Sequence, residues 1–148
     1  KHGFSDLITA LLSLDTYVAL HKGGELKLED FLKEKETRRD ILVKVIIKKE
    51  KLKTSFQCVR KSKADYSVLN MAVSRDEAGN MRVAVGSRPS RAVLAHKTME
   101  FLKDNFDEKQ AGEILQREIV FGSNMRGTKE YRELLGAALL AKALKEVR

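Results

Sequence analysis

The chain has 148 residues, 43% apolar and 34% charged, a balance that suits one core-forming globular domain, or a small domain with a fragment of another, and excludes a disordered polar chain. No apolar run reaches the roughly 20 residues of a membrane-spanning helix, and the single cysteine, Cys58, excludes an internal disulfide or a multi-thiolate metal site. The net charge of +8 is uneven, because residues 33–63 carry twelve Lys or Arg against four Asp or Glu while the rest carries seventeen of each.

Ser5 is placed to cap a short helix from Asp6 to about Leu14, with Leu7, Ile8, Leu11, Leu12 and Leu14 as its buried side. Asp6 falls in the first turn, where a carboxylate suits the positive end of the helix dipole. Thr16 to His21 reads as a strand, Gly23-Gly24 as a tight turn and Glu25 to Leu28 as the returning strand. Leu28 to Lys35 has the length of a helical turn or two. Ile41 to Ile47 is the strongest strand in the chain, followed by a polar connector, Lys48 to Lys53.

Thr54 to Val59 reads as another strand and Arg60 to Asp65 as a basic loop. Tyr66 to Arg75 and Met81 to Gly86 make a β-hairpin around the turn Asp76 to Asn80. Ser87-Arg88-Pro89-Ser90 ends it, and Ser90 caps a helix from Arg91 to about Asp104 with Ala92, Ala95, Met99 and Leu102 on its core face. Lys109 to Glu118 is a shorter helix. The loop Gly122 to Gly127 leads into a last helix capped by Thr128, with Leu134, Leu135, Ala138, Leu139, Ala143 and Leu144 as its apolar stripe. Two strands followed by three helices point to an α+β arrangement, a helical layer on a small antiparallel sheet.

Two segments carry a family resemblance. Val59-Arg60-Lys61-Ser62-Lys63-Ala64-Asp65-Tyr66 with Ser67 to Val73 is similar to the junction entering the C-terminal domain of molybdenum-hydroxylase flavin subunits, the FAD-binding subunits of xanthine dehydrogenase and carbon monoxide dehydrogenase. Val83-Ala84-Val85-Gly86-Ser87 with Pro89 and Arg91-Ala92, then Met125-Arg126-Gly127-Thr128-Lys129-Glu130-Tyr131-Arg132, resembles the glycine-ended strand and the Arg-Gly-Ser/Thr-x-x-Tyr-Arg opening of the last helix in that family. Phe4-Ser5-Asp6-Leu7 resembles the Ser-Asp-Leu helix start of its FAD domain.

The resemblance implies the end of an FAD-binding (PCMH-like) domain over residues 1–53 and a CO-dehydrogenase-flavoprotein C-terminal-like domain over residues 54–148. It implies FAD as cofactor, a molybdenum-cofactor subunit and an iron–sulfur subunit as partners, and electron transfer through the flavin to NAD or another acceptor. The family's glycine-rich pyrophosphate cradle lies upstream of the Ser-Asp-Leu helix, so the chain reads as part of a longer polypeptide that alone binds FAD weakly or not at all. A lone cysteine fits a reducing compartment, and the cytoplasm is the expected location.

On the same resemblance, Asp6 matches a position that hydrogen-bonds FAD, and Leu42 a position close to the flavin ring. Tyr66 and the Lys61 to Asp65 loop match the segment beside the isoalloxazine. Each has a plainer reading: a dipole-stabilised helix carboxylate for Asp6, strand core for Leu42, a strand-starting aromatic for Tyr66. Arg126 is expected to bond carbonyls or a carboxylate within the fold. His2, His21 and His96 share no metal-ligand spacing, His96 is expected to be exposed, and Cys58 is expected to be a small buried hydrophobe. The basic stretch fits an acidic protein partner, a solvated strand edge or, in another functional class, a nucleic-acid-binding patch over residues 44–63, though few aromatics accompany it. A purely structural interaction domain is the third reading.

Overall fold

The computed structural model describes residues 4–34 and 39–148; His2, and the end of the expected helix at Lys35, lie outside them. The chain runs α1 (Asp6–Leu12), β1 (Thr16–Leu20), β2 (Gly24–Lys27), α2 (Leu28–Lys33) and β3 (Leu42–Ile47). It continues through β4 (Leu52–Val59), β5 (Leu69–Asp76), β6 (Met81–Gly86), β7 (Val93–Leu94), α3 (His96–Asp104), α4 (Glu108–Glu118) and α5 (Lys129–Val147). Two antiparallel sheets form, of strand order β2-β1-β3 and β4-β5-β6-β7.

The central strands of the second sheet, β5 and β6, are buried on both faces, and their alternation shows how. Leu69, Met71 and Val73 of β5 and Met81, Val83 and Val85 of β6 join one core with Leu102 of α3, Leu115 of α4 and Leu140 and Leu144 of α5. Each such side chain contributes about 1.5–3 kcal/mol on burial. The intervening residues, Asn70, Ala72 and Ser74 on β5 and Ala84 and Gly86 on β6, face the other way, toward α1. Ala72 and Ala84 belong to a second cluster with Leu12, Val18, Leu28, Leu32 and Ala92, which fastens the first sheet and α2 to the second sheet. The expected three-helix layer is present, and the N-terminal elements cover the opposite face.

Small residues let α1 come close. A Cβ on Gly86 would stand 2.0 Å from Thr9 Oγ1 and 2.3 Å from Asn70 Oδ1, so this strand end admits no side chain. The Thr9 hydroxyl donates to Asn70 Oδ1 at 2.8 Å inside the contact. Ser5 caps α1 as expected, its Oγ accepting from the Ile8 N–H at 3.1 Å.

Several expectations are corrected. Leu7 is exposed because it lies opposite the Thr9–Leu12 side of α1. The helix expected from Arg91 starts at His96, without a side-chain cap from Ser90. Residues 93 and 94 are instead extended and pair with β6 (Ala84↔Leu94, Val85↔Val93). On α5 the buried positions include Arg132, Leu139, Leu140, Ala143, Leu144 and Val147, while Leu134 and Ala138 face outward. Cys58 is exposed rather than buried. The inward positions of β4 are polar, Ser55 and Gln57, and both donate to Glu146 Oε2 of α5, at 2.6 and 2.8 Å. Phe56 and Cys58 are thereby turned to the outer side. Leu42 is not strand core: it is 49% exposed, alongside Val43, Val45 and Ile47 on an apolar β3 that forms one edge of its sheet.

Candidate functional site

Where the N-terminus of α1 meets the entry to β5, the chain leaves a crevice of about 380 Å³ lined by Phe4, Asp6, Arg60, Ala64, Asp65, Tyr66, Ser67 and Ser87. The Thr9–Asn70 contact sets its position, because it holds the first turn of α1 against the start of β5.

Asp6 is the crevice's charged centre. Its Oδ1 accepts from the Ser67 hydroxyl at 2.7 Å and from the Asn70 amide, and its Oδ2 pairs with the Arg60 guanidinium. Burial works to raise the Asp6 pKa, but the bonds from Ser67 and Asn70 and the Arg60 charge outweigh it and hold the carboxyl below its ordinary 3.8. A carboxylate offers about four acceptor positions and three are taken, which leaves one for a ligand hydroxyl. Asn70 Nδ2 also donates to Ser87 Oγ at 3.2 Å. Ser87 is buried and has φ +57°, a left-handed conformation that costs a non-glycine residue about 1 kcal/mol or more.

The rim is aromatic and cationic. Tyr66 is 62% exposed, and its ring lies 6.1 Å from that of Phe4, tilted by 55°. The Arg126 guanidinium stands 5.3 Å from the Tyr66 ring centroid and 5.7 Å from that of Phe4. Its Nη2 pairs with Asp65 Oδ1 at 2.9 Å, so the expected carboxylate partner is present. That bond, with the Tyr66 backbone N–H, lowers the Asp65 pKa. Arg126 Nε is buried without a hydrogen-bond partner.

The structure thus brings Asp6 and Tyr66 together. Lys61 stands on the same loop, its Nζ donating to the Met125 carbonyl at 3.2 Å, outside the crevice lining. Leu42 is on the other sheet and does not line it. Sequence reasoning passed over Phe4, Arg60, Ser67, Asn70 and Ser87. Asn70 did leave a signal, a lone amide in the apolar run Val68-Leu69-Asn70-Met71-Ala72-Val73.

The loop behind the crevice is tied by Arg132, which is fully buried. It donates to the carbonyls of Val68 (2.9 Å), Gly122 (2.8 Å) and Gly127 and to Asn124 Oδ1 (2.7 Å). His96 is exposed and bonds Glu29 at 2.6 Å. Among the described residues no group of three or more His, Cys, Asp or Glu is arranged to hold a metal, and no helix is long and apolar enough to cross a membrane. Within the basic stretch, Lys48 pairs with Asp15, Lys51 with Glu77 and Arg60 with Asp6.

A four-stranded antiparallel sheet with three helices on one face and a polar, aromatic-rimmed crevice at its edge defines an α+β domain class. Residues 54–147 match the CO dehydrogenase flavoprotein C-terminal domain, and the chain belongs to that family. Uncharacterized protein YgfM of Escherichia coli K12 is 26% identical over 137 residues, covering 93% of this chain and 51% of that protein. The fold is shared with quinoline 2-oxidoreductase of Pseudomonas putida 86 (TM-score 0.81, 22% identity, 99% of this chain and 56% of that one). It is shared also with reconstituted CO dehydrogenase of Oligotropha carboxidovorans (TM-score 0.82, 14% identity, 95% and 55%). The chain spans about half the length of the relatives it matches.

Proposed function

We propose that this chain is part of the FAD-binding subunit of a molybdenum hydroxylase, working with an iron–sulfur subunit and a molybdenum-cofactor subunit. Residues 1–53 are read as the end of the FAD-binding domain and residues 54–148 as the C-terminal domain. Bound FAD would supply the relay that takes electrons from iron–sulfur clusters to NAD or another acceptor. The lone exposed thiol suits a reducing compartment such as the cytoplasm.

The observation that carries this reading is the Asp6–Tyr66 crevice on a chain of the flavoprotein family. Its residues fit part of a flavin dinucleotide. An ionised carboxylate with a spare acceptor position suits a ribose hydroxyl, and Tyr66 and Phe4 supply apolar faces for a ring. Ser67, Asn70 and Arg60 keep Asp6 charged and aimed, and Arg126 holds the Tyr66 loop through Asp65. Lys61, beside the crevice, adds positive charge near a bound anion. Leu42 offers exposed apolar surface for a ring but outside this crevice, so the crevice rests on Asp6 and Tyr66.

A space of 380 Å³, at the small end of the roughly 300–1,000 Å³ of ligand pockets and with no glycine in its lining, holds one half of a dinucleotide. FAD is therefore retained weakly by this chain alone. Nothing in the family match or the crevice favours the nucleic-acid reading.

The test is isolation of the native enzyme containing this chain, with assay of flavin, iron and molybdenum. Co-isolation of all three, with flavin content reduced by Asp6→Asn and Tyr66→Ala while iron and molybdenum are retained, supports the reading. A complex free of iron–sulfur and molybdenum proteins, or variants with undiminished flavin, contradicts it.

A further inference from the structure

The segment after β6 serves two sides of the fold. Ser87 faces the Asp6 crevice, whereas Arg88, Ser90 and Arg91 line a separate cavity of about 650 Å³ between α2 and β7. Lys33 and Leu32 form its α2 wall, and Ala92 and Leu94, which share a cluster with Leu32, supply further apolar surface.

The charge there is unbalanced. Arg88 donates through Nε to the Arg91 carbonyl at 2.9 Å and through Nη1 to the Val120 carbonyl at 2.7 Å. Arg91 Nη1 donates to the carbonyls of Leu32 (2.7 Å) and Glu34 (2.8 Å). These bonds fix both guanidiniums in place without neutralising them, because carbonyls carry no net charge. Among the described residues neither guanidinium has a carboxylate partner, and each keeps N–H groups to spare. Glu29, the acid in the lining, is already shared between Lys33 at 2.8 Å and His96 at 2.6 Å. Burial with nothing to offset it lowers the pKa of Arg88, which records the missing counter-charge.

Two fixed, forked cations beside apolar surface match one kind of ligand: a doubly charged oxyanion, which a guanidinium pair binds through parallel N–H···O bonds, attached to an apolar group. We propose that this cavity binds a small phosphate monoester, its phosphate on Arg88 and Arg91 and its ring on Ala92 and Leu94, which share the face turned toward α2. The site is distinct from the flavin crevice and does not depend on the flavin reading.

Phenyl phosphate and inorganic phosphate, titrated into the ¹⁵N-labelled chain and followed by amide shifts, test it, with phenol as the uncharged control. Saturable shifts at Arg88, Ser90, Arg91 and Val93, stronger for phenyl phosphate than for phosphate and absent with phenol, are expected. Arg91→Lys removes the fork, but it also disturbs the Leu32 and Glu34 carbonyls, so Ser90→Asp is the cleaner variant. Ser90 is exposed and makes no bond that holds the loop. An added carboxylate there should weaken phenyl phosphate about tenfold with the thermal midpoint unchanged. Shifts that map elsewhere, no saturation, or equal affinity in Ser90→Asp would overturn the proposal.

Discussion

Gly86→Ala examines the joint on which the crevice depends. The new methyl would lie 2.0 Å from Thr9 Oγ1 and 2.3 Å from Asn70 Oδ1, where packed carbons ordinarily stay beyond 3 Å. Neither neighbour turns aside freely. Thr9 Oγ1 is engaged with Asn70 Oδ1 at 2.8 Å and with the Ser5 carbonyl at 3.1 Å, and the Asn70 amide is held by Asp6 and Ser87. Relief requires α1 to move outward or the buried bond to break. Overpacking costs about 1–3 kcal/mol and a lost buried hydrogen bond about 1 kcal/mol, against about 0.5 kcal/mol regained from the stiffer unfolded chain. The net loss is about 1.5–3.5 kcal/mol, or a fall in Tm of about 3–14 °C for a chain of this size. Thermal unfolding followed by circular dichroism, with urea titration for the free energy, measures it. Thr9→Ala should make the second substitution cheaper, because it removes the nearer obstacle. A Gly86→Ala protein within about 0.5 kcal/mol of the parent would refute the close docking of α1 on β5 and β6.

Arg132→Met strands the carbonyls of Val68, Gly122 and Gly127 and the Asn124 side chain, and should cost at least about 3 kcal/mol by urea denaturation. Arg132→Lys should rescue only part of it, since an ammonium cannot reproduce the fork. Asp6 has a lowered folded pKa, so its contribution is complete above the unfolded value and disappears as pH falls through the folded one. The stability gap between the parent and Asp6→Asn should therefore be constant down to about pH 5 and close below the ordinary value of 3.8; a gap that widens in acid would contradict the assignment. Cys58 should react with a thiol reagent at once in the folded protein, without the lag of a buried residue.

Most of the elements were legible because local signals agreed with the fold: Ser5 and Thr128 as caps, the Asp76 to Asn80 turn, the alternation of β5 and β6. What stayed hidden depends on partners distant in the chain. Residues 91–95 follow Pro89 and end in an apolar helix pattern, yet pairing with β6 draws them into β7, which local propensity cannot register. Cys58 and Phe56 face outward because Glu146, some ninety residues later, claims Ser55 and Gln57. At the site, Asp6 and Tyr66 were reached through their motifs, whereas Ser67, Asn70 and Ser87 act only through the docking of α1. Arg126 and Arg132 share one motif but differ in role: the first pairs with Asp65 at the crevice rim, and the second carries the buried carbonyl network.

The most direct test of the flavin assignment is an FAD titration of the ¹⁵N-labelled chain at up to millimolar cofactor. Weak, saturable shifts confined to Phe4, Asp6, Arg60, Tyr66, Ser67 and Arg126, lost in Asp6→Asn, are expected. Saturable shifts centred on another surface, or shifts at this crevice that persist undiminished in Asp6→Asn, would contradict a flavin-binding role for this crevice.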